Sequence, residues 1–262
     1  MAVIGAVLGD IAGSRFEFHR PGRLDYKKCE LFVPVCTYTD DTVMTLAVKK
    51  AIEENLDLAE TMRKIGRCYP HCGYGEKFYQ WIFGKIAGSY NSYGNGSAMR
   101  VSFVGEYFEN LEDVRREAAK TAEVTHDHPE GIKGAVVTAV CIWMARHGKT
   151  KQEIYDYVLD QYPPDVYPFS IDKNVDFLER EYTWSVTCMD SVPVAMRCFI
   201  ESDSFENFMR NIFRLDCDCD TLGAIGGAVA EEYYHGVGFD ADKILRRFLD
   251  KRLYGLLTGK EK

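Results

Sequence analysis

Two short acidic segments lie far apart in this 262-residue chain and have almost the same composition. The first is Thr39-Asp40-Asp41-Thr42 and the second is Asp218-Cys219-Asp220-Thr221, and each stands before an apolar, helix-like run. Carboxylates this close repel each other, so a cation between them lowers the free energy of the cluster. Hard divalent cations prefer oxygen ligands of this kind. If the two segments meet in the fold, they form a site for two metal ions.

Capping of helix N-termini is the alternative interpretation of both segments. Asp and Thr side chains accept hydrogen bonds from the free N–H groups of a first helical turn, and carboxylates favour the positive end of the helix dipole. One acid is enough for a cap, whereas Asp216, Asp218 and Asp220 occupy alternate positions near the second segment. Capping alone therefore does not account for these three acids.

Three further segments carry polar groups that could bind a ligand or take part in catalysis. Asp10 ends the apolar N-terminal run, and Glu17 follows seven residues later. Gly94-Asn95-Gly96-Ser97 either presents backbone N–H groups to an anion or forms an ordinary Asn-Gly turn, and it lacks the P-loop lysine and the Rossmann spacing. His126 is interpreted as a hydrogen-bonding or ligand-contacting group. Its neighbour Asp127 makes a His-Asp metal phosphohydrolase a separate hypothesis.

The elements that must position these groups are helices. Apolar residues recur at intervals of roughly 3.6 in most of the chain, and strand-like alternation is almost absent. The predicted helices cover 43–54, 59–68, 111–124, 130–147, 151–161, 188–200, 205–215, 221–235 and 241–257. No repeat or linker divides the chain. The sequence predicts an all-α fold in a single domain over residues 1–262.

Two features of this helical pattern have more than one interpretation. The small residues Gly223, Ala224, Gly226 and Gly227 indicate either close helix packing or a nearby ligand. Segment 162–182 contains three prolines that oppose a helix, and it is either a binding loop or an ordinary surface loop.

Composition excludes several classes of protein. The hydrophobic content of 46% predicts a well-filled globular interior. A net charge of −8 without any Lys/Arg block argues against electrostatic binding to nucleic acid or to a membrane surface. No apolar run reaches the length of a membrane span, and the N-terminal run lacks the features of a signal peptide. Nine scattered cysteines fit a reducing compartment, so we expect a cytoplasmic protein.

Taken in order, the motifs resemble those of the ADP-ribosylglycohydrolase family, which includes dinitrogenase-reductase-activating glycohydrolase. The matching pieces are Gly9-Asp10 with Gly13-Ser14 and Glu17, Thr39-Asp40-Asp41-Thr42, Gly94-Asn95-Gly96-Ser97-Ala98-Met99-Arg100, Thr125-His126 with Pro129-Glu130-Gly131 and Gly134-Ala135, and Asp218-Cys219-Asp220-Thr221 before Gly223-Ala224. Each motif is short, but five in this order are highly specific. The resemblance implies a compact orthogonal multi-helix bundle with a cleft for two divalent cations, Mg²⁺ or Mn²⁺.

The resemblance also implies a role for each site residue. The metal ligands would be Thr39, Asp40 and Asp41 on one side, and Asp218, Asp220 and Thr221 on the other. The substrate-binding residues would be Gly94, Asn95, Gly96 and Ser97 at the diphosphate, with His126 near the same ligand. The catalytic candidates for proton transfer are Glu17 and Asp41.

The activity implied by the resemblance is metal-dependent removal of ADP-ribose from a modified protein side chain or small molecule. Compact enzymes of this size are often monomers, so we expect a monomer. The alternative is a non-catalytic ADP-ribose or nucleotide-binding module on the same fold. Two departures from the family pattern lie close to the site, at Asp216-Cys217 and at Arg15-Phe16. They leave open the linkage that is cleaved.

Overall fold

Helices account for all the regular secondary structure in residues 2–18 and 24–260, which are the residues that the computed structural model describes. The helices are α1 (Ala2–Gly13), α2 (Asp40–Glu53), α3 (Leu58–Gly66), α4 (Glu76–Ile82), α5 (Gly96–Met99), α6 (Ser102–Tyr107), α7 (Leu111–Glu123), α8 (Pro129–Arg146), α9 (Lys151–Gln161), α10 (Val175–Glu181), α11 (Cys188–Ile200), α12 (Phe205–Ile212), α13 (Cys219–Tyr234), α14 (Ala241–Phe248) and α15 (Lys251–Thr258). A 3₁₀ turn, Ser14–Phe16, follows α1. The predicted all-α fold is confirmed.

Helices α1 and α13 cross at very short distance in the middle of the core. A Cβ atom on Gly9 would lie 2.0 Å from the carbonyl oxygen of Gly223, and one on Gly223 would lie 2.5 Å from the carbonyl oxygen of Gly9. Only glycine allows two helix backbones to approach this closely. At Gly223, close helix packing is therefore sufficient to explain the small residue.

Two glutamates near the end of α13 accept hydrogen bonds from free backbone N–H groups at the start of α1. Glu231 accepts a hydrogen bond from the N–H of Gly5 at 2.6 Å, and Glu232 accepts one from the N–H of Ala2 at 2.7 Å. A helix N-terminus has unpaired N–H groups, and side-chain carboxyl oxygens that accept hydrogen bonds from them stabilise it. These bonds add to the packing that fixes α1, the helix that carries Asp10.

The predicted helix over 241–257 is wrong in one respect, because it is two helices. Leu249 has extended backbone angles (φ −86°, ψ 142°), and Asp250 caps α15 by accepting the N–H of Leu253 at 2.9 Å. An Asp side chain competes well for N–H groups at a helix start, so the chain restarts there.

Segment 162–182 is more ordered than its prolines predict. It contains α10, which Asn174 caps by accepting the N–H of Phe177 at 2.8 Å. Tyr162 and Tyr182 at its ends are both buried. The segment is therefore anchored in the core rather than irregular throughout.

The largest hydrophobic cluster reaches from Ala2 to Leu257. Residues 1, 19–23 and 261–262, which the predicted single domain includes, lie outside the described residues. None of the helices described here combines the length and the apolar character that a membrane span requires.

Candidate metal and substrate site

A cleft of about 460 Å³ brings most of the predicted site residues together. The predicted residues on its wall are Glu17, Asp40, Asp41, Gly94, Asn95, Gly96, His126, Asp218, Asp220 and Thr221. Residues that were not predicted also line it, among them Phe18, Phe78, Tyr90, Arg100, Trp184 and Val186. Of the predicted residues, Thr39 and Ser97 are buried and do not line this cleft.

Asp10 holds the first acidic segment in place from inside the fold. Its Oδ2 accepts hydrogen bonds from the backbone N–H groups of Thr39 and Thr42, both at 3.0 Å, and from the Thr42 hydroxyl. Its Oδ1 accepts the Thr39 hydroxyl at 2.8 Å. Burial raises the pKa of Asp10 to about 6, although these hydrogen bonds oppose the shift. Asp10 positions the first acidic segment, a role that was not predicted. The feature that could have indicated this role is a carboxylate inside an apolar run.

The two acidic segments meet at the cleft. The hydroxyl of Thr221 lies 3.3 Å from Asp41 Oδ2, and Thr39, the N-cap of α2, lies 3.3 Å from the same oxygen. Asp41 Oδ1 and Asp220 Oδ1 are both buried and have no hydrogen-bond partner among the residues that the structure describes. Buried carboxylate oxygens are almost always paired, so these two atoms indicate ligands that the protein itself does not supply.

Glu17 joins the second segment. Ligand oxygens of Glu17, Asp218 and Asp220 all lie within 4.8 Å of one another. Burial, and then the charge of Asp218, raises the pKa of Glu17 to about 7, while burial and the charges of Asp218 and Asp41 raise the pKa of Asp220. A cation would remove this repulsion, and the donor set consists of oxygen atoms. The residues present therefore fit divalent cations such as Mg²⁺ or Mn²⁺.

Not all acids of the second segment take part. Asp218 and Asp220 are buried, whereas Asp216 is exposed to solvent. Cys217 and Cys219, on either side of Asp218, are buried with their sulfur atoms 3.4 Å apart. Of the three acids at alternate positions, the structure brings Asp218 and Asp220 into one cluster and leaves Asp216 on the surface.

Asn95 connects the glycine-rich loop with the second segment. Its Nδ2 donates to Asp218 Oδ2 at 2.8 Å, and its backbone N–H donates to Val186 O at 2.8 Å. The Ser97 hydroxyl instead donates to Gly131 O at 2.7 Å inside the protein. The loop can therefore offer Gly94, Asn95 and Gly96 to a ligand, while the Ser97 side chain is occupied by α8.

The ring of His126 is fixed by a chain of hydrogen bonds. Arg100 Nη2 donates to Thr125 Oγ1 at 2.8 Å, and that hydroxyl lies 2.7 Å from His126 Nδ1. A Cβ atom on Gly96 would lie 3.2 Å from His126 Nε2, so the other ring nitrogen faces the loop. Burial, and then the charge of Arg100, lowers the pKa of His126 well below its usual value, which keeps the ring neutral.

The His-Asp phosphohydrolase hypothesis finds no support in this geometry. The Asp127 carboxylate accepts hydrogen bonds from the Ser89 hydroxyl at 2.8 Å and the Asn91 N–H at 2.7 Å, at the protein surface. His126 Nδ1 is occupied by Thr125. Within the described residues, the group with metal-ligand geometry contains only carboxylates.

Trp184 and Val186 show what sequence patterns could not predict. They follow segment 162–182, and a single antiparallel bridge between Gly94 and Thr187 places this stretch beside the glycine-rich loop. The Cys188 N–H also donates to Tyr93 O at 2.9 Å. Because these pairings join distant parts of the chain, no local periodicity could have identified the two residues as part of the cleft wall.

The chain is similar to known proteins in both sequence and fold. The sequence profile of the ADP-ribosylglycohydrolase family matches residues 1–235. The chain is 26% identical to the ADP-ribosylhydrolase ARH3 of Xenopus tropicalis, over 89% of this chain and 86% of that protein, and 26% identical to human ARH3, over 88% and 83%. A solved structure titled ADP-ribosylglycohydrolase-related protein complex superposes with a TM-score of 0.72 at 22% identity, over 97% of this chain and 93% of that one, which shows a shared fold. The chain belongs to the ADP-ribosylglycohydrolase family.

Proposed function

We propose that this protein is a divalent metal-dependent hydrolase that cleaves the glycosidic bond between ADP-ribose and a modified acceptor. The observation that carries the proposal is the pair of unpartnered buried oxygens, Asp41 Oδ1 and Asp220 Oδ1, where the two acidic segments meet. They lie on the same cleft wall as Glu17 and the glycine-rich loop. Binding of ADP-ribose alone would not require so many buried, mutually repelling carboxylates.

The residues that the sequence predicted as metal ligands are suited to hold two cations in this arrangement. Asp40, Asp41, Asp218 and Asp220 would hold the cations, with Thr39 and Thr221 as hydroxyl ligands or as supports of Asp41. Two bound divalent cations would supply Lewis-acid polarisation and a template that orients the ribose hydroxyls and a water molecule. The chain's own groups must then bind the rest of the substrate and move the proton.

Glu17 is better placed than Asp41 for proton transfer. Glu17 is partly exposed and lines the cleft, so a leaving group or water can reach it. Asp41 is buried, and its Oδ2 lies next to the hydroxyls of Thr39 and Thr221. A general acid or base must come within hydrogen-bond reach of the reacting group. We therefore assign proton transfer to Glu17 and metal binding to Asp41.

The glycine-rich loop is the part of the cleft that can take the diphosphate of ADP-ribose. Gly94 and Gly96 line it without side chains, so an anion can approach their backbone. A neutral His126 next to Gly96 can donate one hydrogen bond without requiring an acidic pH.

Release of free ADP-ribose from modified peptides tests the proposal. Arginine- and serine-ADP-ribosylated peptides are incubated with Mg²⁺, with Mn²⁺ or with a chelator. Release should require the cation, and Asp220→Asn should lower it by at least about a hundredfold because it removes a charged ligand. Asp216→Asn is the matched control, since Asp216 is an exposed acid of the same segment, and should act like the wild type.

The same experiment distinguishes the alternatives. Tight binding of ADP-ribose without release from either linkage would favour the non-catalytic binding module. Release that survives Asp220→Asn but is lost in His126→Ala would contradict the proposed metal chemistry. If Glu17→Gln retains full turnover while the cations stay bound, Glu17 does not transfer the proton.

A further inference from the structure

A second cleft of about 430 Å³ adjoins the first and shares Glu17 and Gly73 with it. Its other lining residues are Thr37, Tyr38, Thr39, Tyr69, Pro70, His71 and Cys72. They come from the segment before α2 and from the connection between α3 and α4. The backbone N–H of Asp40 donates to Cys72 O at 2.7 Å, so this wall is fixed to the first acidic segment.

The second cleft borders Glu17, and this position relates the cleft to the acceptor part of the substrate. Hydrolysis separates ADP-ribose from the acceptor at the anomeric carbon, next to the group that transfers the proton. The diphosphate side belongs to the Gly94–Gly96 loop, and no residue of that loop lines the second cleft. Glu17 borders both clefts, so a leaving acceptor at Glu17 can extend into the second one.

The chemistry of the second cleft favours a cationic group. The rings of Tyr38 and Tyr69 stand at 85° to each other with centroids 6.1 Å apart, and the Tyr69 hydroxyl donates to Asp250 at 3.2 Å. Glu17 supplies a carboxylate on the wall of this cleft, and within the described residues no lysine or arginine lines it. Burial, and then the hydrogen bond to Asp250 and its charge, raise the pKa of Tyr69, while the charge of Arg252 lowers it. Aromatic faces and carboxylates together attract ammonium and guanidinium groups.

We propose that the second cleft binds the polypeptide acceptor and prefers a lysine or arginine beside the ADP-ribosylated residue. This inference rests on the proposed function, because it assumes that ADP-ribose occupies the first cleft. It assigns the choice of acceptor to Tyr38, Tyr69 and His71, which lie outside the proposed metal and diphosphate sites. His71, which is exposed on the wall of the second cleft, is then a place where charge changes acceptor preference.

Charge substitutions at His71 test the inference. Two ADP-ribosylated peptides that differ only in lysine or glutamate beside the modified residue are compared, by dissociation constant with Mg²⁺ present and by kcat/KM. His71→Lys should lower the preference for the lysine peptide by about fivefold and His71→Glu should raise it by a similar factor, as expected for partly screened charges. Affinity for free ADP-ribose should not change in either variant. Lys64→Glu, an exposed charge change on α3 outside both clefts, should leave the preference unaltered.

Two results would overturn the inference. One is that His71→Lys and His71→Glu each change kcat/KM and the dissociation constant by the same factor for the lysine and the glutamate peptide, so that the preference stays as in the wild type. The other is a changed affinity for free ADP-ribose in either variant. Failure of the proposed function has a different signature, because neither peptide would then release ADP-ribose with the wild-type protein. The peptide dissociation constants would still decide whether the second cleft selects basic acceptors.

Discussion

Two substitutions of Asp10 separate its hydrogen bonds from its charge. Oδ2 of Asp10 accepts the backbone N–H groups of Thr39 and Thr42. In Asp10→Asn, the amide oxygen can take the place of Oδ2 and keep both bonds, while the NH₂ group donates to the Thr39 hydroxyl. In Asp10→Ala, both N–H groups lose their acceptor inside the fold. We therefore expect very different effects from two changes that both remove the carboxylate.

The magnitude follows from the number of unpaired groups. A buried N–H group without a partner costs about 1–3 kcal/mol, so Asp10→Ala should lower the free energy of unfolding by about 2–6 kcal/mol. Asp10→Asn should cost about 1 kcal/mol or less, because weaker hydrogen bonds are offset by the removal of a buried charge. Displacement of Thr39 and its neighbours should also weaken Mg²⁺ binding at least about tenfold in Asp10→Ala, an effect of the size seen when supports of metal ligands are removed.

Urea unfolding in the presence of chelator measures the stability difference without a contribution from metal. Calorimetric titration with Mg²⁺ then measures binding to each variant that remains folded. Asp216→Ala provides the matched control, since Asp216 is an exposed acid and should have little effect. Equal destabilisation by alanine and asparagine, or a loss below about 1 kcal/mol for alanine, would refute a positioning role through these bonds.

Three further predictions concern other parts of the structure. Gly223→Ala should lower the free energy of unfolding by about 1–3 kcal/mol in urea denaturation, because its Cβ would meet the α1 backbone. Burial raises the pKa of Glu231 from 4.5 to about 7, so the folded state retains a proton that the unfolded state loses, and the free energy of unfolding falls as the pH rises from about 4.5 to about 7. Urea unfolding at several pH values should show a smaller fall in this free energy for Glu231→Gln. Thr125→Val should weaken ADP-ribose binding about tenfold by calorimetry with Mg²⁺ affinity unchanged, whereas Thr125→Ser should bind as the wild type does, because it keeps the hydroxyl between Arg100 and His126.

The sequence predicted the bounds of some helices correctly. The predicted segments 151–161 and 188–200 match α9 and α11 at both ends. Helix α1 was not predicted as a helix, and nearly all of its residues are buried. A helix without a polar face shows little periodicity, and its apolar run can then be seen without its helical form. Within 241–257, the apolar pattern continues across Asp250, and only the cap shows where the second helix begins.

The part of the candidate site that depends on residue type could be predicted from the sequence. Acids with adjacent hydroxyls predict either metal ligands or helix caps, and the structure places Asp41 and Asp220 on the wall of one cleft. The direction of a side chain is a different matter, because it depends on packing. Ser97 faces α8, Asp216 faces solvent, and Trp184 reaches the cleft through a pairing between distant segments.

The close crossing of α1 and α13 explains why two acidic segments so far apart in sequence form one site. At the end of α1, a Cβ atom on Gly13 would lie 2.4 Å from the backbone nitrogen of Asp220, so the start of α13 touches the turn that leads to Glu17. Asp10, one turn earlier on α1, binds the first segment. Helix α1 thus contacts both halves of the site, and its distance from α13 sets their separation. A larger residue at Gly13 would push the halves apart, so we expect Gly13→Ala to weaken the proposed binding of divalent cations as well as the packing.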